Sequence, residues 1–262
     1  MERRAFIGTL TGGLLAAPLI AEAQQAGKVP RLCFVTFDPG TAASPSPRFT
    51  SFFNELRDLG YEHGRSITID YLAADGRNEQ FPDLIAECLR LNANVIAVTT
   101  TPAARAAKAA TRSVPVVMVA VGDPVGTGLV ESLAHPGGNL TGMSQMTSAL
   151  AGKRLELLKA AVPKISRVLV LSYLVDPIAP LQVQSLRDIA PTIGVTLLVH
   201  DIKTADDLAT AFDAGIKEHA EGVMTTAESI FRLHRARVTE LAARYRLPGI
   251  YPYSAFVREP MG

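Results

Sequence analysis

Tryptophan is absent from the 262 residues, and cysteine occurs only twice, at Cys33 and Cys88. No Cys-x-x-Cys exists, and the five histidines (His63, His135, His200, His219, His234) never fall three or four residues apart. That leaves no metal-binding pattern, and no metal is expected. Charge of one sign is missing too: 26 basic residues stand against 25 acidic, a net charge of +1. Such a balance gives no electrostatic footprint for nucleic acid or an acidic partner. A G-x-S-x-G elbow is lacking; "GMSQM" (142–146) shares only Gly142 and Ser144 with it. The glycine-rich stretch "VGDPVGTGLV" (121–130) has Leu129 and Val130 where a phosphate loop needs Lys and Ser or Thr. The first strand is followed by "DPGTAASPSP" and not by G-x-G-x-x-G, so no nucleotide and no other cofactor is expected.

What is present begins with "MERRAFIGTLTGGLLAAPLIAEAQQ". Arg3 and Arg4 precede an apolar stretch from Ala5 to Ile20, and Ala21-Glu22-Ala23 forms a small-residue cleavage site. This is the pattern of an export signal over residues 1–23 and is set aside from fold reasoning. A membrane anchor is disfavoured, because the run is short and carries Gly12, Gly13 and Pro18. "RRAFI" resembles a twin-arginine motif with Glu2 in the usual Ser or Thr position, so both export routes stay open. No cysteine follows the cleavage site, and a soluble, exported, periplasmic mature protein is expected. Export would permit a disulfide. Cys33 nevertheless falls in a predicted buried strand and Cys88 on the apolar face of a predicted helix, and both are expected as buried free thiols.

Downstream, short apolar runs alternate with amphipathic helices. Strands are predicted at "RLCFVTF", "SITIDYL", "NVIAVTT" and "VPVVMVAV", with helices over 47–59, 79–91 and 102–111 between them. The pattern restarts with a helix over 149–161, strand "RVLVLSY", a helix over 179–193, strand "VTLLVHDI" and a helix over 205–217. Strand "GVMTT", one long helix over 230–245 and strand "LPGIYPY" complete it. This specifies an α/β fold of two doubly wound parallel-sheet lobes: an N-terminal lobe over 24–122, a crossing or hinge region over 123–148 and a second lobe over 149–247. Residues 248–262 are expected to return toward the first lobe, and the stop at "FVREPMG" directly after a strand suggests a C-terminal part beyond Gly262.

In doubly wound sheets ligands sit at the carboxyl ends of strands. There the sequence places acidic residues (Asp38, Asp75, Asp123, Asp176), whose spacing nominates no acid–base pair. "TTTPAARAAK" offers Thr99, Thr100 and Thr101 at a strand end, with Thr101 as the expected N-cap and Pro102 opening the helix. That start suits a carboxylate, or is a plain capping sequence. Tyr173 and Asp176, "TTAES" (225–229) and "YPY" (251–253) end strands of the second half.

"FFNELRDLGYEHGRSITIDY", "VGDPVGTGLVESLAHPGGNLTGMS", "GKRLELLKAAVPKISRVLVL" and "LAARYRLPGIYPYSAFV" together resemble, in order and spacing, the ABC-transporter substrate-binding proteins related to TrpX. The resemblance covers essentially the whole chain. It implies a type I periplasmic binding protein-like fold, with a ligand held between two lobes joined by a hinge. It also implies delivery of that ligand, an amino acid or related carboxylate, to an inner-membrane ABC permease with a separate ATPase. The protein is then not an enzyme, and a monomer is expected. By position the ligand contacts would be Asp38, Thr100, Thr101, Gly122 and Asp123 from the first lobe, and Tyr173, Asp176 and Glu228 from the second. Where amino-acid-binding relatives resemble T-D-N-T, this chain has Thr226-Ala227-Glu228-Ser229. The acid expected to pair with an α-ammonium group is therefore absent at Ala227, unless Glu228 or Asp176 substitutes. A secreted sensory module and an exported hydrolase are the other function classes the sequence leaves open.

Overall fold

The computed structural model describes residues 29–258, so the leader with its boundary at Ala23 lies outside the described residues. The first lobe is built from β1 (Arg31–Thr36), α1 (Thr50–Asp58), β2 (Thr68–Ala73), α2 (Phe81–Arg90), β3 (Val95–Val98), α3 (Thr101–Ala110), β4 (Val116–Val121) and β5 (Leu140–Ser144). All strands run parallel in the order β2-β1-β3-β4-β5. Alternation along β1 explains the layers. Cys33 and Val35 join the core under α2 and α3, while Leu32 and Phe34 pack with Phe49 and the α1 side. Phe34 is the hub of an aromatic group, its ring 5.0 Å from Phe49, 4.9 Å from Phe53 and 5.3 Å from Tyr71.

The second lobe comprises α4 (Thr147–Ala161), β6 (Arg167–Ser172), α5 (Ala179–Ile189), β7 (Thr196–Asp201), α6 (Asp207–Lys217), β8 (Gly222–Thr225), α7 (Ser229–Leu233), α8 (Arg235–Arg244), β9 (Gly249–Ile250) and α9 (Ala255–Arg258). Its parallel sheet has the order β7-β6-β8-β9. Val168 and Val170 face α4 and α5, whereas Leu169 and Leu171 face Phe212 and Val238. No helix among the described residues is long and apolar enough to cross a membrane.

Four details depart from the sequence reading. Cys33 and Cys88 are joined in a disulfide, with Cα atoms 5.7 Å apart and both residues fully buried. The strand face and helix face that made them look like two buried thiols are the same interface, and they put the sulfurs opposite each other. The N-cap of α3 is Thr100, whose hydroxyl accepts from the Ala103 N–H at 3.2 Å; Thr101 is already helical. The long helix divides into α7 and α8 at His234, which leaves helical geometry (φ −102°, ψ 24°) while the backbone ladder runs on from Ile230 to Val238. Finally, the last strand is only two residues long and lies in the second sheet, because Pro248 and Pro252 have no N–H to extend the ladder.

The strand β5 was not evident in sequence. It adds to the edge of β4 in the span expected only as a crossing, and it does so by close approach at Gly142 (φ +132°). A Cβ there would lie 2.3 Å from the Met118 carbonyl oxygen. Gly142→Ala is therefore expected to lower the urea midpoint by an amount equivalent to about 1–3 kcal/mol. An unchanged midpoint would show that the β4–β5 pairing relaxes freely.

The chain crosses to the second lobe between Ser144 and Thr147. Met146 occupies the left-handed region there (φ 50°), an unusual conformation for a residue with a side chain. The end of β4 stitches this crossing in place: the Gln145 N–H donates to Val121 O at 2.8 Å and the Thr147 N–H to Gly122 O at 3.0 Å.

Candidate functional site

Both sheets reverse their winding between the first strand of the lobe and the third element of the order, β1/β3 in one lobe and β6/β8 in the other. Such a switch point leaves a crevice at the strand carboxyl ends. The two crevices face each other. Between them lies a narrow cavity of about 20 Å³. Arg48, Thr100, Thr101 and Gly122 line it from the first lobe, and Asp176, Glu228 and Tyr253 from the second.

The first-lobe hydroxyls support their own wall. Thr99 donates to Thr36 at 3.0 Å, Thr100 caps α3, and Thr101 Oγ1 accepts from the Gly122 N–H at 3.4 Å. Pro102 has no N–H and the Ala103 and Ala104 N–H groups are already taken by Thr100. Much of the anion-binding capacity of this helix start is thus spent internally, and the mobile charge comes from Arg48. Its guanidinium lies 3.5 Å from Asp38 and 5.0 Å from the Phe49 ring centre. Burial and the neighbouring Arg232 hold Arg48 below the usual arginine range, with Tyr253 and Asp38 acting the other way.

Asp38 is almost fully buried behind this wall. Besides Arg48, it pairs with Arg232 of α7, so a carboxylate of one lobe is bound to a guanidinium of the other. Gly122 marks a second close approach. A Cβ at that position would stand 2.8 Å from the Ile178 side chain and 2.8 Å from Thr147 Oγ1, both in the second lobe.

In the second lobe Glu228 is 2% exposed, and both its oxygens are engaged: Oε1 accepts from Gln182 Nε2 at 2.8 Å and Oε2 contacts Thr226 Oγ1. Gln182, fully buried on α5, also accepts from the Ala227 N–H at 2.9 Å. Tyr253 Oη donates to Ala227 O at 2.7 Å. Asp176 accepts from the Ile178 N–H at 3.1 Å. Burial pushes Asp176 up to about 7 against the opposing pull of the Ile178 N–H and Arg105. Burial first, then the Asp176 charge, pushes Glu228 up to about 8, against Thr226, its own backbone and Arg154.

Of the residues expected from sequence, Thr100, Thr101, Gly122, Asp176 and Glu228 meet at one cavity, with Asp38 directly behind Arg48. Asp123 is turned away from it. Its Oδ1 accepts from the Gly126 N–H at 2.8 Å and its Oδ2 from the Ser148 hydroxyl, which fastens the glycine turn to α4. Tyr173 does not line it either and lies beside Asn78 and Glu79 across the lobe boundary. Sequence reasoning missed Arg48, Arg154, Gln182 and Arg232, since it searched only strand ends. Gln182 did leave a signal: it occupies the core-facing stripe Ala179, Gln182, Val183, Leu186, where a polar residue demands a partner.

Two opposed switch-point crevices sharing one polar cavity, joined among the described residues by the crossing at 144–147, define a two-lobed α/β architecture. A family model described as ABC transporter substrate binding protein matches residues 48–259, and the chain belongs to that family. A tyrosine-binding protein of Clostridioides difficile strain R20291 is 33% identical over 163 residues, which is 62% of this chain and 47% of that relative. The matched region therefore spans about half the relative's length. Among solved structures, a conserved domain protein from Vibrio cholerae superposes with a TM-score of 0.79 at 23% identity, over 88% of this chain and 76% of the other. An ABC domain from Streptococcus pneumonia in complex with L-Trp gives 0.77 at 20% identity, over the same shares. At these identities the structures speak to the fold, the type I periplasmic binding protein-like arrangement expected from the sequence.

Proposed function

We propose that this protein is the substrate-binding component of an ABC importer. It captures a small organic ligand, an amino acid or related carboxylate, between its lobes and delivers it to a membrane permease driven by a separate ATPase. The observation that carries this reading is a cavity walled by both sets of strand ends, with a partly buried guanidinium on one side and buried carboxyls on the other. Only a ligand touching both walls favours the closed arrangement, which is how binding becomes a signal a permease can read. The tyrosine-binding relative and the L-Trp-bound neighbour support a ligand of this size and class. The disulfide supports residence in an oxidising compartment such as the periplasm, reached after removal of the leader at Ala23. A monomer suffices, because both walls come from one chain.

A thermal-shift screen of the leaderless protein against amino acids, aromatic acids and branched acids tests the reading. A ligand at a hundredfold excess over its Kd is expected to raise Tm by about 5–10 °C, since it binds only the folded state. No shift from any compound at millimolar concentration would remove the solute-binding reading.

A further inference from the structure

The polar groups around Glu228 accommodate a proton on its carboxyl. Thr226 has one hydroxyl hydrogen and two neighbours for it: the Leu171 carbonyl at 3.1 Å, which can only accept, and Glu228 Oε2. The Leu171 carbonyl also accepts from the Thr226 N–H at 3.0 Å, and a Glu228 carboxyl that donates to Thr226 lets the hydroxyl donate on to Leu171. Glu228 and Asp176 share one cavity wall, are 2% and 6% exposed, and neither forms an ion pair among the described residues. Two buried carboxyls without paired cations hold a proton between them. The raised values at both groups agree with this.

The groups facing them complete the charge balance. Arg154 of α4 reaches Gln182 Oε1 at 3.4 Å and acts on Glu228, and Arg48 and Arg232 flank Tyr253. Arg105 of α3, which acts on Asp176, is exposed and screened by solvent. Three partly buried guanidiniums therefore face Asp38, Asp176 and Glu228, and one of these carboxyls carries a proton. The cavity is left with surplus positive charge and no free carboxylate at Glu228 to receive an ammonium group.

We propose that the cleft, taken as a ligand site as above, selects an organic acid with one carboxylate and no ammonium group, and that Glu228 meets it as a neutral carboxyl. The carboxylate answers the surplus guanidinium charge on the Arg48 side. An α-ammonium group would meet a neutral carboxyl at Glu228 and add to the surplus guanidinium charge, a loss that burial makes large. The proposal rests on the solute-binding reading but narrows it away from zwitterions.

Titration calorimetry with matched pairs decides it: phenylalanine against hydrocinnamate, tyrosine against phloretate, leucine against isocaproate. The best desamino acid is expected to bind more tightly than its amino acid by about tenfold or more. Its affinity should fall as Asp176 ionises near pH 7 and again as Glu228 ionises above about pH 8, there approaching tenfold per pH unit. The Glu228→Gln variant cannot ionise and should lose that slope. Infrared spectra of the ligand-free protein should carry a protonated-carboxyl band that the same variant lacks. Tighter binding of the amino acids, or a band absent from the wild type, overturns the proposal. If no probe of either kind binds, the solute-binding reading falls and the ligand class with it, whereas amino-acid preference leaves that reading intact.

Discussion

Replacing Cys33 and Cys88 together by alanine, or reducing the intact protein, is expected to destabilise the first lobe by about 2–4 kcal/mol. The bond closes a loop with a sequence separation of 55, and chain-entropy arguments assign such a loop about 4 kcal/mol. It also ties β1, an interior strand of its sheet, to α2, with both cysteines fully buried. The oxidised form cannot separate that strand from that helix even when unfolded. Urea midpoints measured with and without reductant check the expectation, and coincident midpoints would refute it. A site effect should follow, because Asp38 stands two residues beyond β1. Under reducing conditions the wall holding Arg48 should fray before the second lobe does, visible as earlier hydrogen exchange around Thr36 than around Ser172.

The disulfide shows where the sequence stopped being legible. Alternation placed Cys33 on one face of a strand and Cys88 on one face of a helix, both correctly. Nothing in a separation of 55 residues says that the two faces are one interface. The strands and helices themselves were legible, because apolar runs of strand length separated by amphipathic helices admit little besides a parallel sheet covered on both sides. β5 was not, since Leu140–Ser144 carries Gly142 in its middle and forms only because the edge of β4 admits it. The strand-end rule named Thr100, Thr101, Gly122, Asp176 and Glu228, which line one cavity. It failed for the cations, because Arg48, Arg154 and Arg232 come from helices or their approaches, where an arginine looks like any solvated residue. Asp123 also stands at a strand end, yet its carboxylate is engaged by its own turn and by Ser148.

Asp38→Asn should weaken ligand capture by about 100-fold while changing the stability of the ligand-free protein much less. Asp38 is shared by Arg48 of its own lobe and Arg232 of the other, with side chains 15% and 13% exposed. Removing its charge leaves two guanidiniums facing each other across the lobe boundary with no anion between them. Breaking such a buried pair costs about 3–5 kcal/mol when the remaining charge cannot escape. Opening the lobes lets Arg232 return to water, so the penalty falls on closure and not on folding. Affinity measured by calorimetry reports it, as does a larger radius of gyration in solution scattering at saturating ligand. Arg232→Met should recover part of the loss in the Asp38→Asn background, because the charge without a counter-ion is then gone. If the double variant binds as poorly as the single one, Asp38 acts on the ligand through Arg48 alone. The inter-lobe pair would then be a consequence of closure, with no part in driving it.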